Sequence, residues 1–110
     1  MEKIKVILRI RPFTQEEISK NAQEGWEIDK DVDKIQAKDL NMHHHPFTFD
    51  KIFTSETSNK DVYLQSCQKI VQNSLEGIDT TIFVFGQTGS GKTHTMLGPP
   101  KTYDFTGITF

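Results

Sequence analysis

The chain has one cysteine in 110 residues, Cys67, so it can form no internal disulfide, and this usage points to a reducing compartment. It also lacks any apolar run near the roughly 18 residues of a membrane span. No apolar stretch follows Met1-Glu2-Lys3-Ile4-Lys5 in the manner of a signal peptide. Positive charge is not in excess: Lys plus Arg is 13, Asp plus Glu is 15, and the net charge is -2. That excludes a nucleic-acid binder that works through bulk basicity, because phosphates are neutralised by a basic surface. Apolar residues are scarce, at 35%. With the 7 glycines the share is about 41%, a little under the roughly 45–50% of compact domains counted the same way, so the core is expected to be modest or incomplete. The expectation is a soluble intracellular protein with no membrane insertion and no nucleic-acid partner.

What is present falls into short segments without repeats or low-complexity tracts. Ile4, Val6, Leu8 and Ile10 alternate with Lys5, Ile7, Arg9 and Arg11, which predicts a strand stopped by Pro12. Residues 13–25 are polar and mixed, a loop with one helical turn at Glu16–Lys20. Trp26-Glu27-Ile28 and Lys34-Ile35-Gln36-Ala37 form a small hairpin around Asp29–Asp33. Phe47, Phe49, Ile52 and Phe53 mark another strand with a break at Asp50-Lys51. Together these suggest a β-rich lobe. Thr57-Ser58-Asn59 offers helix caps, and Asp61 adds negative charge to the first turn. Val62, Tyr63, Cys67, Ile70, Val71, Ser74 and Leu75 then recur at three- and four-residue steps, an amphipathic helix ended by Gly77. Thr80 to Phe85 is an unbroken β-branched and aromatic run, as in a strand covered on both faces. A helix is expected from Lys92, with Gly98-Pro99-Pro100 interrupting it and a loop over 98–107 holding Tyr103 and Phe105.

Gly86-Gln87-Thr88-Gly89-Ser90-Gly91-Lys92-Thr93 matches G-x-x-x-x-G-K-[ST] between that strand and that helix. Glycines at 86, 89 and 91 let the backbone take conformations closed to other residues and come close to phosphate oxygens. Loop N–H groups and the helix start then face the anion. Lys92 would reach the β- and γ-phosphates, and the Thr93 hydroxyl would coordinate Mg²⁺. The bland alternative is a glycine-rich turn, and the flanking elements argue against it.

Other candidates are weaker. Arg9 and Arg11 share one strand face, which reads either as a solvated face or, with the flat ring of Pro12, as a platform for a purine. His94 is either a surface residue or an imidazole stacked on a nucleotide base. His43-His44-His45 cannot converge on one ion and read as a solvated hairpin tip. Cys67 lies on the apolar stripe of its helix and reads as a buried, inert thiol. Glu16, Glu17, Asp29, Asp31 and Asp33 read as solvated loop charges, with no acid–base pair among them and no catalytic residue assigned.

These residues, taken in order, resemble the kinesin motor domain. Ile4–Pro12 is similar to that family's opening strand with its Arg-x-Arg-Pro ending, and Phe47-Thr48-Phe49-Asp50-Lys51-Ile52-Phe53 to its Phe-x-Phe-Asp-x-Val-Phe strand. Asp61-Val62-Tyr63 and Leu75-Glu76-Gly77 bracket the helix as in kinesins. The strongest segment is Thr81–Met96, where Gln87-Thr88 precedes the glycines and Thr93-His94-Thr95-Met96 follows them. Phe85 stands where kinesins more often have Tyr. The resemblance runs to about Ile108. It implies an α/β phosphate-loop NTPase fold with a small β-rich hairpin lobe, and an ATP·Mg²⁺ site. The cofactor-binding residues would be Arg9, Arg11, Pro12, Gly86, Gln87, Thr88, Gly89, Ser90, Gly91, Lys92, Thr93 and His94, with the base between Pro12 and His94. Thr93 would be the metal ligand. It implies a microtubule-stimulated ATPase, with microtubules as the partner and the cytoplasmic cytoskeleton as the location. The loop over 98–107 resembles the insertion that splits the family's second helix.

The family's two switch motifs, Ser-Ser-Arg-Ser-His and Asp-x-x-Gly-x-Glu, do not occur in residues 1–110, and Gly107-Ile108-Thr109-Phe110 stands where kinesins commonly read Gly-Ile-x-Pro-Arg. The expectation is therefore that residues 1–110 are the N-terminal part of a motor domain. In the family a strand from the later part lies between the first and third core strands, so edges and apolar faces are expected to be left open, and no stable monomer is expected from this part alone. The alternative function is a nucleotide-binding fragment without catalysis or movement of its own. Switch motifs following Phe110 in the transcript would separate the two. Subfamily, direction, cargo and oligomeric state are not encoded in these motifs.

Overall fold

The computed structural model describes residues 4–39, 41 and 45–98. They belong to two units, Met1–Glu56 and Thr57–Phe110. Both strands and helices are present, so the described chain is a small α/β structure.

The first unit holds β1 (Ile7–Arg9), α1 (Gln15–Ser19), β2 (Trp26–Asp29), β3 (Lys34–Ala37), β4 (Phe47–Thr48) and β5 (Lys51–Phe53). β1 runs parallel to β5, with Leu8 opposite Ile52. β2, β3 and β4 form a separate antiparallel sheet in that order, with Ile28 opposite Ile35 and Ile35 opposite Phe47. Ile35, Ile52 and Phe53 are its buried apolar residues. The hairpin therefore forms where the alternation predicts it. The expected break near Asp50 is also present, and it is where the chain passes from one sheet to the other.

The first strand is shorter than the predicted Ile4–Ile10. Its ladder reaches only as far as β5 does. At one end the Asp50 N–H donates to the Val6 carbonyl at 2.9 Å, and Asp50 Oδ2 accepts the Val6 N–H at 2.8 Å. At the other, the Ile10 N–H donates to the Phe53 carbonyl at 2.9 Å. The single helical turn expected near Glu16 is α1. Thr14 caps it: its hydroxyl accepts the Glu17 N–H, and the Glu17 carboxylate accepts the Thr14 N–H at 2.9 Å.

Asp33 corrects the reading of the hairpin loop as solvated charge. Its backbone is left-handed, at φ 49°. Its carboxylate accepts the Ile52 N–H at 2.9 Å, and its carbonyl accepts the Phe49 N–H at 3.0 Å. Asp33 thus ties the hairpin turn to the start of β5. Asp29 acts locally, accepting the Asp31 N–H at 3.0 Å, the turn that asparagine and aspartate favour. His45 is exposed. His43 and His44 lie outside the described residues.

The second unit holds α2 (Asn59–Val62), a π-helical turn (Tyr63–Cys67), α3 (Gln68–Leu75) and α4 (Lys92–Met96). Of the three candidate caps, Ser58 is the one used; its hydroxyl accepts the Asp61 N–H at 3.2 Å. The predicted continuous α-helix is interrupted by the π turn, in which the Gln68 N–H donates five residues back to Tyr63. That widening brings Val62 and Cys67, five apart, into the buried set together. Cys67 is a buried free thiol whose pKa burial pushes up, in keeping with the inert reading. Ser66 in the same turn keeps a buried hydroxyl oxygen with no hydrogen-bond partner. The helix ends as predicted: Gly77 has φ 90°, its N–H donates to Ser74, and the Ile78 N–H donates to Asn73 at 3.1 Å. These two bonds are the Schellman arrangement that only a left-handed residue permits without strain.

The run Thr80–Phe85 departs from its prediction. It belongs to none of the described strands, and it is not covered on both faces. Burial alternates along it: Thr80, Ile82 and Val84 are half-buried, whereas Phe83 is 88% and Phe85 100% exposed. The composition favours an extended backbone, but a ladder needs a second strand alongside, and none of the described strands pairs with it. No helix among the described residues is long and apolar enough to cross a membrane.

Candidate functional site

In the second unit, residues 86–93 turn from the extended run into α4. The turn tightens at a Gln87 carbonyl that accepts the Ser90 N–H at 3.0 Å. Gly89 and Gly91 have φ of 84° and 99°, the left-handed region that other residues resist. Gly86 is needed for a different reason. A Cβ there would fall 3.1 Å from the Ser90 Cβ and closer still to its hydroxyl. Backbone and side chain therefore meet at Gly86, and a methyl group there would have to displace Ser90.

Gly91 caps α4 in the left-handed conformation, so Lys92 leads the helix. Its side chain folds back over the loop and donates from Nζ to the Gly86 carbonyl at 2.7 Å. The ammonium is thereby held at the mouth of the glycine turn. Lys92 is half-buried, while Thr93 and His94 are exposed. The helix is closed by the Leu97 N–H to the Thr93 carbonyl at 2.8 Å and the Gly98 N–H to the His94 carbonyl at 3.0 Å. Gly98, at φ 89°, ends it as the sequence predicts. Residues 99–107 of the expected insertion lie outside the described residues.

In the first unit, Arg11 is held in a hydrogen-bonded ion pair. It makes a two-pronged contact with Glu17, Nη1 to Oε2 at 2.9 Å and Nη2 to Oε1 at 2.6 Å, and it also donates to the Pro12 carbonyl at 3.0 Å. This corrects the reading of Glu17 as a solvated loop charge. The Arg11 hydrogen bonds, followed by the Thr14 N–H, lower the Glu17 pKa from 4.5 to about 2. Arg9 is half-buried, and burial pushes its guanidinium below its ordinary value. Pro12 is exposed.

Two residues with structural consequences escape the sequence reading as candidates. Glu17 sits in Thr-x-x-Glu spacing, a capping-box signature that could have revealed it. Asn59, only 9% exposed, donates from its side-chain amide to the His94 carbonyl at 2.9 Å. They are 35 residues apart, and no local pattern signals the pair. No group of three or more His, Cys, Asp or Glu among the described residues could hold a metal ion.

Residues 9–110 match the Kinesin motor domain family. Kinesin-1 heavy chain of Rattus norvegicus is 43% identical over 96% of this chain and 10% of its own length. Kinesin-like protein KIN-7A of Arabidopsis thaliana is 41% identical over 88% of this chain and 10% of its own length. Kinesin-like protein KIN-14C of the same plant is 46% identical over 70% of this chain and 9% of its own length. The chain therefore spans about a tenth of the length of these curated relatives.

Proposed function

Because the chain belongs to the kinesin motor domain family, we propose that it supplies the ATP-binding part of a microtubule motor, built on a phosphate-loop NTPase fold. The observation that carries this is the Gly86–Thr93 turn. Two glycines there are left-handed, a Cβ on a third would have to displace Ser90, and the lysine ammonium is held over the turn. These features fit a triphosphate, which needs close backbone approach and a mobile cation.

In this reading Lys92 exchanges the Gly86 carbonyl for the β- and γ-phosphate oxygens. The amides of residues 86–93 orient the phosphates, and the exposed Thr93 hydroxyl is a ligand for Mg²⁺. Held at Thr93 with ATP, Mg²⁺ would neutralise phosphate charge. By the family's pattern His94 is read as a base contact, and Arg9, Arg11 and Pro12 as nucleotide-binding residues. The protein works in the cytoplasm on the microtubule cytoskeleton, and residues 1–110 are the N-terminal part of the motor domain. Titrating the purified chain with a fluorescent ATP analogue, with and without Mg²⁺, tests the core of this. Saturable, Mg²⁺-dependent binding is expected, and its absence would overturn the assignment.

A second reading, a nucleotide-binding chain with no turnover of its own, draws on the exposed Phe83 and Phe85. A phosphate loop whose leading segment joins none of the described strands is poorly braced for positioning a reacting phosphate. Phosphate release in the presence of polymerised microtubules separates the two readings.

A further inference from the structure

α4 is five residues long, far below the roughly 12–15 at which an isolated helix holds itself together in water. Something outside it must fix its direction. One such contact is Asn59, at the first position of α2, whose buried amide donates to the His94 carbonyl at 2.9 Å. The same carbonyl accepts the Gly98 N–H at 3.0 Å, so both of its lone pairs are engaged. A backbone atom of His94 is thus pinned from two sides. The imidazole itself is exposed, without the enclosing packing that would fix a ring. Its starting point and direction are therefore set mainly by that pinned backbone.

We propose that Asn59 is a positioning residue for nucleotide recognition: through the His94 carbonyl it aims the His94 ring at the base. This rests on the reading of His94 as an adenine contact. Lys92, two residues earlier at the start of α4, has its own anchor on Gly86. Loss of the Asn59 bond should therefore disturb base recognition more than phosphate binding.

Asn59→Asp keeps the shape but faces the carbonyl with oxygens that cannot donate. Calorimetric titration of the chain with Mg·ATP and with inorganic tripolyphosphate reads the two parts of the site separately. Asn59→Asp should weaken ATP binding about 5- to 10-fold, the scale of one lost hydrogen bond, and leave tripolyphosphate within about twofold. His94→Ala should behave alike, and adding Asn59→Asp to His94→Ala should cost nothing more. Asn59→Leu, similar in size and without charge, gives the same comparison should the new carboxylate unfold the chain. If ATP and tripolyphosphate fall together, Asn59 braces the whole loop and the proposal fails. It fails equally if the Asn59 variants bind ATP normally while His94→Ala does not. An indifferent His94→Ala would instead remove the base contact itself, and this inference with it.

Discussion

Arg11 and Glu17 lock together through two parallel hydrogen bonds, 2.9 and 2.6 Å long, and the same carboxylate accepts the Thr14 N–H at 2.9 Å. One side chain thereby closes the end of β1 onto the first turn of α1. The planar fork of arginine matches a carboxylate in this way, and lysine could not reproduce it.

The pH dependence follows from this contact. Glu17 titrates near 2 in the folded chain, against a usual 4.5. A depressed carboxylate means that the unfolded state takes up the proton first as pH falls. The contribution is whole above the unfolded value and is lost as pH drops from about 4.5 towards 2. Urea midpoints for the native chain should fall across that window more steeply than those for Glu17→Gln. Parallel curves would show that the contact adds nothing in solution.

In the proposed reading Lys92 would supply the charge for the phosphates. A charge-assisted hydrogen bond contributes roughly 1.5–3 kcal/mol, so Lys92→Ala should weaken ATP binding by about 10- to 150-fold. Thr93→Ala should leave the metal-free affinity close to native and flatten its Mg²⁺ dependence. Fluorescence titrations at several Mg²⁺ concentrations measure both; an unchanged affinity in Lys92→Ala would remove the loop from consideration.

Gly86 gives a test of close packing. In Gly86→Ala the new methyl meets the Ser90 Cβ at 3.1 Å and its hydroxyl closer still. Overpacking costs up to about 1–3 kcal/mol of stability where a neighbour cannot yield, so Gly86→Ala should lower the urea midpoint and weaken ATP binding by displacing Ser90. Ser90→Gly in the same chain removes the obstruction and should restore much of the loss. No recovery in the double variant would mean that the glycine serves some purpose other than space.

Turnover is expected to be absent from residues 1–110 alone. Attack by water on a phosphate needs a group that aligns the water as well as cations for the developing charge. In the proposed reading Lys92, Thr93 and the loop amides would hold phosphates, and residues 1–110 contain neither switch motif that would orient water. Phosphate release should stay at background with polymerised microtubules present. Stimulated release that disappears in Lys92→Ala would show that the catalytic groups are present.

The glycines and caps were readable in the sequence because their constraints are local. Gly77, Gly89, Gly91 and Gly98 all take the left-handed backbone where turns were expected. Ser58 caps α2, and the β2–β3 hairpin forms around its loop. What could not be read depends on partners distant in the chain. Thr80–Phe85 has the residues of a strand, but residues do not state whether a neighbour lies alongside. Asp33 reads as surface charge, yet its carboxylate accepts the N–H of Ile52, 19 residues on. The π turn has no residue signature, since it adds one residue per turn to an otherwise ordinary amphipathic repeat. The phosphate loop stood out because its chemistry demands glycine at fixed spacing. Asn59 did not, because a carbonyl can accept from any donor that reaches it.

The exposed Phe83 and Phe85 bear on how copies of the chain behave towards each other. Thr80–Phe85 is six residues long, uncharged and free of proline, with Phe85 fully bare. Such segments stack into cross-β assemblies when nothing shields them. The stretch that leads into the glycine turn is then where copies of the chain are expected to associate as concentration rises. Light scattering should climb steeply with concentration and flatten in Phe83→Lys, whose charge interrupts stacking. If the two scatter alike, the association starts elsewhere.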